Sequence, residues 1–409
     1  MKQEKQTNKK KKKWRRPRHT LVRNILFPTL GTFSRIKYGA TIKKFEEQGN
    51  RPYLVLFNHQ TAFDQFFVGM AFRGPIYYLA SEDIFSKGFV SSIIRFLVAP
   101  IPIKKQTTDV KAIMNCLQVA KEGGTIAIAP EGNRTYSGKT TDMLPSIAPL
   151  ARKMKMPIAL YRLEGGYGVH PRWSDVVRRG KMHGYVSRVI EPEEYATMTD
   201  EELFAIIEKE LYVNEAVANA KFIHKKRAEY LERALYVCPK CGLTTFKSHN
   251  DRFSCTKCGL TVSYTEEKQF EGIGCEAPFP FVADWYNYQT SFVRTIDLNA
   301  HLENPMYTEA VRLSLVIPYK NKNLLEKHAT AMLYGDRIEL KTSRGLHEFH
   351  FDAASAVTVL GKNKLNIYAN GNIYQLKGDK RFNALKYVHI FHHYHNVKKG
   401  DPYGGLLGL

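Results

Sequence analysis

The apolar and polar positions change period along this chain. YLVLF (Tyr53–Phe57) is a short continuous apolar run of the kind that forms a buried strand, and Phe63, Phe66, Phe67, Met70 and Ala71 then mark one face of a helix. TIAIA (Thr125–Ala129) and Pro157–Leu160 are further short apolar runs. Strands separated by helical stretches predict an α/β domain, a mixed sheet with flanking helices, over residues 39–235. Thr199-Asp200-Glu201-Glu202 reads as a capping box that opens a long polar helix from about Asp200 to Leu235.

Upstream, Leu21, Val22, Ile25, Leu26, Leu30, Phe33 and Ile36 recur at helical spacing, with Arg23, Arg35 and Lys37 between them. Pro28 is expected to divide this segment, 20–38, into two short pieces. Residues 1–19 are a charge run with KKKKKWRRPRH at its centre, expected to be disordered. An apolar stripe beside a polybasic tail suits a helix lying in a membrane interface. Downstream, AMLYG, RIEL, LHEFHF, AVTVL, LNIYA and IYQL are alternating runs within about 310–377, punctuated by Gly335-Asp336 and Ala369-Asn370-Gly371. They predict a mainly antiparallel β domain in 265–409, closed by a helix over Lys380–His395. Strands followed by one C-terminal helix resemble, in pattern only, a pleckstrin-homology-like module.

The chain's 409 residues exceed one ordinary core, and the apolar share is that of a globular protein. The net charge is +22. Residues 1–23 hold eleven Lys or Arg and one Glu, leaving about +12 to the remainder. A basic surface calls for an acidic partner, whether nucleic acid, an anionic membrane face or a phosphorylated substrate. Four of the six cysteines form two C-x-x-C pairs, with Cys116 and Cys275 isolated. That is metal arithmetic, not a disulfide framework, and it favours a reducing compartment. No apolar run reaches eighteen residues and no secretory signal pattern opens the chain, so a peripheral protein on the inner, cytoplasmic face of a membrane is expected.

Two motifs carry chemistry. In Asn58-His59-Gln60-Thr61-Ala62-Phe63-Asp64, the five-residue step from His59 to Asp64 turns about 140° on an ideal helix. The two side chains can meet if His59 sits in the loop and Asp64 in the first helical turn, with Thr61 as N-cap and Asp64 third in the helix. Thr61 and Asp64 could equally be an ordinary capping pair. Imidazole, with a reference pKa near 6.5, can accept a proton from an alcohol near neutrality, and a carboxylate on its other nitrogen fixes the tautomer. This is a serine-protease triad without the serine, so the hydroxyl must come from the substrate. No G-x-S-x-G elbow supplies a nucleophile. The second motif, Ala129-Pro130-Glu131-Gly132-Asn133-Arg134-Thr135, follows a strand directly. Gly132 permits close backbone approach and Arg134 can grip a phosphate with two parallel hydrogen bonds. The nearby GNRTYSGKT is not a nucleotide P-loop: five residues separate Gly132 from Gly138, where the Walker pattern has four.

NHQTAFD followed by PEGNRT resembles the glycerophospholipid acyltransferase superfamily, whose best-known members acylate lysophosphatidic acid. The family pattern is N-H-x4-D, a basic segment, E-G-T-R-S, and a proline-containing strand. Asn58, His59 and Asp64 match the first block, and Pro100-Ile101-Pro102-Ile103-Lys104-Lys105 lies where the second belongs. Glu131, Gly132, Asn133, Arg134 and Thr135 align with the third, and Met156-Pro157-Ile158 with the fourth. The similarity spans about 35–215. Lys105 stands where the family has Arg, which costs the bidentate fork, and Asn133 replaces Thr. The resemblance implies that His59 deprotonates a lysophospholipid hydroxyl and that Asp64 orients it. The acyl donor would be acyl-CoA or acyl-carrier protein. Arg134, Lys104 or Lys105, and the Gly132 backbone would hold the acceptor phosphate, with Glu131 shaping the loop by pairing with a basic residue. No catalytic metal is implied.

Residues 236–264 contain Cys238-Pro239-Lys240-Cys241-Gly242 and Cys255-Thr256-Lys257-Cys258-Gly259, with thirteen residues between Cys241 and Cys255. Two C-x-x-C-G turns at this spacing predict a zinc ribbon, with a closed four-thiolate site that is structural and not catalytic. Sparse aromatic residues around it argue against nucleic acid as partner. The competing reading is a non-catalytic zinc-ribbon protein that binds lipid, protein or nucleic acid; the His59/Asp64 pair favours an enzyme.

Overall fold

The computed structural model describes residues 13–86, 88–103, 109–317 and 320–407. The N-terminal part is a mixed seven-stranded sheet with helices on both faces. Its strands are β1 (Ala40–Ile42), β2 (Leu54–Phe57), β3 (Ile76–Ser81), β4 (Ile101–Ile103), β5 (Thr125–Ile128), β6 (Ile158–Glu164) and β7 (Met182–Ile190), in the order β1-β7-β6-β2-β5-β3-β4. All neighbours run parallel except β6 and β7. The runs expected at 53–57, 125–129 and 157–160 are its central strands. Both faces of β2 are buried, which is why that run is continuously apolar.

Helix α1 (Pro17–Tyr38) departs from the sequence expectation twice. It is one continuous helix of 22 residues with Pro28 inside it. The proline is held because the helix packs on the domain along its length: His19 Nδ1 lies 3.0 Å from the Tyr77 hydroxyl, and Phe27 covers Gly69, where a Cβ would clash. Nor is the basic tail loose up to residue 19. Trp14 donates its indole N–H to the Ala99 carbonyl at 2.9 Å, and the Trp14 and Arg15 amides bind the Glu122 carboxylate. Residues 1–12 lie outside the described residues.

The other helices of this domain are α2 (Asp64–Ala71), α3 (Phe89–Leu97), α4 (Val110–Lys121), α5 (Ile147–Met154), α6 (Gly166–Val169), α7 (Pro192–Ala196) and α8 (Asp200–Leu211). The capping box at α8 forms as read, but the helix stops at Leu211, far short of Leu235. Its buried face, Leu203, Ile207 and Leu211, ends there. The chain then pairs with a loop instead: the Val213 amide donates to the Thr140 hydroxyl at 2.8 Å and the Glu215 amide to the Gly138 carbonyl at 2.8 Å. Glu215 is buried against Lys268, 3.6 Å away.

The ribbon follows: β8 (Val237–Cys238) pairs with β9 (Gly242–Leu243), and β10 (Phe246–His249), β11 (Arg252–Cys255), β12 (Thr261–Tyr264) and β13 (Phe270–Gly272) form an antiparallel sheet that runs past residue 264. Helix α9 (Val282–Arg294), which the polar pattern did not suggest, sets Trp285 against Phe246 and Phe253 of the ribbon.

The C-terminal domain is an antiparallel half-barrel of seven strands. They are β14 (Tyr307–Leu315), β15 (Asn323–Leu333), β16 (Arg337–Thr342), β17 (Gly345–His350), β18 (Ala354–Leu360), β19 (Lys364–Ala369) and β20 (Asn372–Lys377), closed by α10 (Leu385–Lys399). The expected alternating runs and closing helix are all present. One apolar core joins this domain and the ribbon to Tyr136, Tyr167 and Trp173 of the N-terminal domain. Buried Arg233 ties the same three parts, donating to the Trp173 and Lys380 carbonyls and to Asp175.

Candidate active site

Strands β2 and β5 are parallel neighbours, so the loops at their carboxyl ends emerge side by side. That crevice is where open α/β sheets place ligands. His59 leaves β2 and Glu131 leaves β5. Two hydrogen bonds stitch the loops: the His59 amide donates to Glu131 Oε1 at 2.6 Å and the Thr135 amide to the His59 carbonyl at 3.1 Å.

Asp64 is buried, and its carboxylate gathers donors from the loop before it. His59 Nδ1 lies 2.7 Å from Oδ2, which also accepts from the Gln60 amide at 2.7 Å. The Thr61 amide reaches Oδ1 at 2.9 Å and Oδ2 at 3.0 Å, and the Thr61 hydroxyl donates to Oδ1 at 2.6 Å. The capping arrangement therefore differs from the expected one. Asp64 is the first helical residue, not the third, and Thr61 donates to it instead of capping the third residue. The result is a pinned loop in which a buried carboxylate holds the Nδ1–H tautomer. The lone pair of neutral His59 then lies on Nε2, and the ring keeps a quarter of its surface exposed. Such a pair can take a proton from a bound alcohol.

Among the described residues, Glu131 does not pair with a basic residue. It is buried, and its carboxylate accepts from the His59 amide and, at 2.9 Å each, from the Thr141 amide and hydroxyl. Burial pushes its carboxyl up to about 8, against the downward pull of those hydrogen bonds. Gly132 sits at φ 62°, in the left-handed region, which explains glycine there. Its N–H closes the turn on the Ala129 carbonyl at 3.1 Å. Asn58 is fully buried, with its side-chain amide bonded in both directions to the Leu163 backbone, 2.8 and 2.7 Å. Thr135 is buried and accepts from the Gly138 amide. Asn58, Glu131 and Thr135 thus hold the frame and do not face a substrate. Lys104 and Lys105 lie outside the described residues. Arg134 has a buried guanidinium whose Nη1 has no hydrogen-bond partner among the described residues. Burial first, and the charge of Arg172 second, pull it down to about 10.

Sequence reasoning missed the loop after β6. Gln60, nearly fully buried, accepts from the Tyr167 amide at 3.0 Å, so α6 closes on the His59 loop. Arg172 donates to the Arg134 carbonyl at 3.0 Å and lies over the Tyr136 ring at 4.2 Å. A signal was present: Gly165-Gly166-Tyr167-Gly168 directly follows a strand that neighbours β2.

In the ribbon, the Sγ atoms of Cys238, Cys241, Cys255 and Cys258 all lie within 4.8 Å of one another. Cys238 and Cys258 approach to 3.6 Å and Cys241 and Cys255 to 3.5 Å, close to the roughly 3.8 Å edge of a ZnS4 tetrahedron with 2.3 Å bonds. The four-cysteine cluster therefore fits a metal ion.

Residues 11–160 match the family model described as Acyltransferase, and residues 225–264 match that of ribosomal protein S27a. The first match begins earlier and ends earlier than the stretch read from the motifs, and it identifies this segment as an acyltransferase domain. The second fits a zinc ribbon. Among solved structures, the chain resembles the 1-acyl-sn-glycerophosphate (LPA) acyltransferase PlsC from Thermotoga maritima, at 20% identity and TM-score 0.39, covering 46% of this chain and 77% of that one. No curated protein matches.

Proposed function

We propose that this protein transfers a fatty acyl group from a thioester donor, acyl-CoA or acyl-carrier protein, to the hydroxyl of a lysophospholipid of the lysophosphatidic acid type. The observation that carries this reading is the 2.7 Å contact between His59 and buried Asp64, stitched to the loop that bears Arg134. His59 Nε2 takes the hydroxyl proton as the oxygen attacks the thioester carbonyl. The tetrahedral intermediate collapses, the C–S bond breaks, and the leaving thiolate recovers the proton from the His59 imidazolium. Asp64 stabilises that imidazolium without taking the proton. Arg134 binds the acceptor phosphate.

The enzyme works at a membrane surface. No helix among the described residues is long and apolar enough to cross a membrane. However, α1 and α3 pack together and expose Leu21, Ile25, Phe33 and Ile36 alongside Phe89, Val90 and Phe96. Seven lysines within residues 2–13 precede α1 in the sequence, which suits an anionic surface. The four ribbon cysteines hold one structural zinc as thiolates, which helps fold a segment with little core of its own. An acyl-transfer assay over a panel of lysophospholipids with both donor types tests the reading. Product with a phosphate-bearing acceptor is expected, and none with any acceptor from either donor would refute it.

A further inference from the structure

The surroundings of Arg134 contain more positive charge than the family motif accounts for. His170 ends the short helix α6 and is 6% exposed, yet neither ring nitrogen has a hydrogen-bond partner among the described residues. An imidazole buried in this way loses its hydration with no hydrogen bond to replace it. Burial, and then the charges of Lys362 and Arg134, push its imidazole down to about 3. Arg172, 3% exposed, bonds the Arg134 carbonyl on one side and the Val359 carbonyl of β18 at 3.4 Å on the other. Its Nε, like Arg134 Nη1, is buried without a partner among the described residues. Lys362 occupies the turn between β18 and β19 and reaches back to Asp175 Oδ1 at 3.0 Å. That carboxylate is already shared with Arg233, at 2.8 and 3.1 Å. Like charges gathered at buried and half-buried positions, with one shared carboxylate, are stable when an anion completes them.

We propose that the acceptor's phosphate is held by a composite pocket in which the C-terminal half-barrel supplies Lys362, beside Arg134 and His170, with Arg172 positioning Arg134. This deepens the lysophospholipid reading and rests on it. The half-barrel thereby acts as a wall of the acceptor site, and Lys362 reads the head group's charge. The ligand class is a phosphate monoester on glycerol. A lysine at a hairpin tip can swing from Asp175 to a phosphate oxygen, and Asp175 keeps Arg233 when it does.

The test is binding of glycerol 3-phosphate to the full chain by titration calorimetry, with glycerol as the uncharged control. This readout does not involve acyl transfer, so it can fail while the transferase reading stands, or the reverse. Lys362→Ala should weaken glycerol 3-phosphate binding about tenfold or more, the loss of one charged hydrogen bond. Lys362→Arg should restore it to within about threefold. Asp175→Asn, which frees the lysine and whose side-chain oxygen can keep one hydrogen bond to Arg233, should bind at least as tightly as the parent provided its thermal midpoint is unchanged. Unchanged binding in Lys362→Ala, equal binding of glycerol, or an Asp175→Asn loss as large as that of Lys362→Ala would overturn the proposal.

Discussion

Asp64→Asn separates a catalytic carboxylate from one that merely starts a helix. In the parent, Oδ2 accepts from His59 Nδ1, the Gln60 amide and the Thr61 amide, and Oδ1 accepts from the Thr61 amide and hydroxyl. An asparagine can keep its oxygen at the Oδ2 position and place its NH2 at Oδ1. The Thr61 hydroxyl can rotate to accept from that group, because hydroxyl hydrogens are free to turn, and the Thr61 amide gives up its bond at Oδ1 but keeps the one to the oxygen at the Oδ2 position. The loop, the Nδ1–H tautomer and the helix start are then kept, and the substitution removes mainly charge. What is lost is the attraction between the carboxylate and the imidazolium formed during transfer, with an upper bound of about 4 kcal/mol for unit charges 4 Å apart at an effective dielectric constant of 20. We expect a barrier increase of roughly 2–4 kcal/mol, or thirty- to a thousand-fold in kcat. KM for the acceptor should change less than about twofold, and the thermal midpoint by no more than about 3 °C. Single-turnover acyl transfer with saturating acceptor measures this. A kcat within threefold of the parent would leave Asp64 as a structural lock with no part in the proton transfer.

Three further outcomes follow from other parts of the molecule. Replacing the exposed Ile25, Ile36 and Phe89 with serine should reduce co-sedimentation with anionic vesicles by at least about tenfold while the fold is kept, since full burial of each such side chain is worth roughly 1.5–3 kcal/mol; unchanged sedimentation would remove α1 and α3 from the membrane face. Metal analysis of the purified protein should find about one zinc per chain, and a chelator should lower the unfolding midpoint; four reduced thiols without metal would reject the assignment. His389 is buried between the Tyr236 and Tyr286 hydroxyls, at 2.7 and 3.1 Å, and burial pushes it down to about 3. The unfolded chain therefore binds this proton below about 6.5 while the folded chain does not. Stability should fall as pH drops from about 6.5 towards 3, and urea midpoints should show a smaller drop from pH 7.5 to pH 5 in His389→Gln than in the parent; an identical drop would contradict this.

The site's two halves were legible because each is a local motif at the end of an apolar strand, and β2 and β5 are apolar on both faces. The cysteine cluster was legible from spacing alone. Local pattern failed where remote contacts decide. Residues 212–235 are polar and cap-led, yet they leave the helix to pair with Lys139 and Arg179. Pro28 stays in a helix because packing on Tyr77 and Gly69 outweighs its missing hydrogen bond. Asn58 and Glu131 look like ligands in sequence, but the first is used by the Leu163 backbone and the second by the His59 amide and by Thr141. His170, Arg172 and Lys362 could not be gathered from spacing, because the half-barrel's docking, not any local period, brings Lys362 beside the α6 loop.

We propose His59 as the general base of an acyl transfer. The most direct test is the rate of transfer from long-chain acyl-CoA to lysophosphatidic acid by His59→Ala beside the parent, with circular dichroism to check folding. A folded variant about a thousandfold slower than the parent is expected. Turnover equal to the parent's would contradict it.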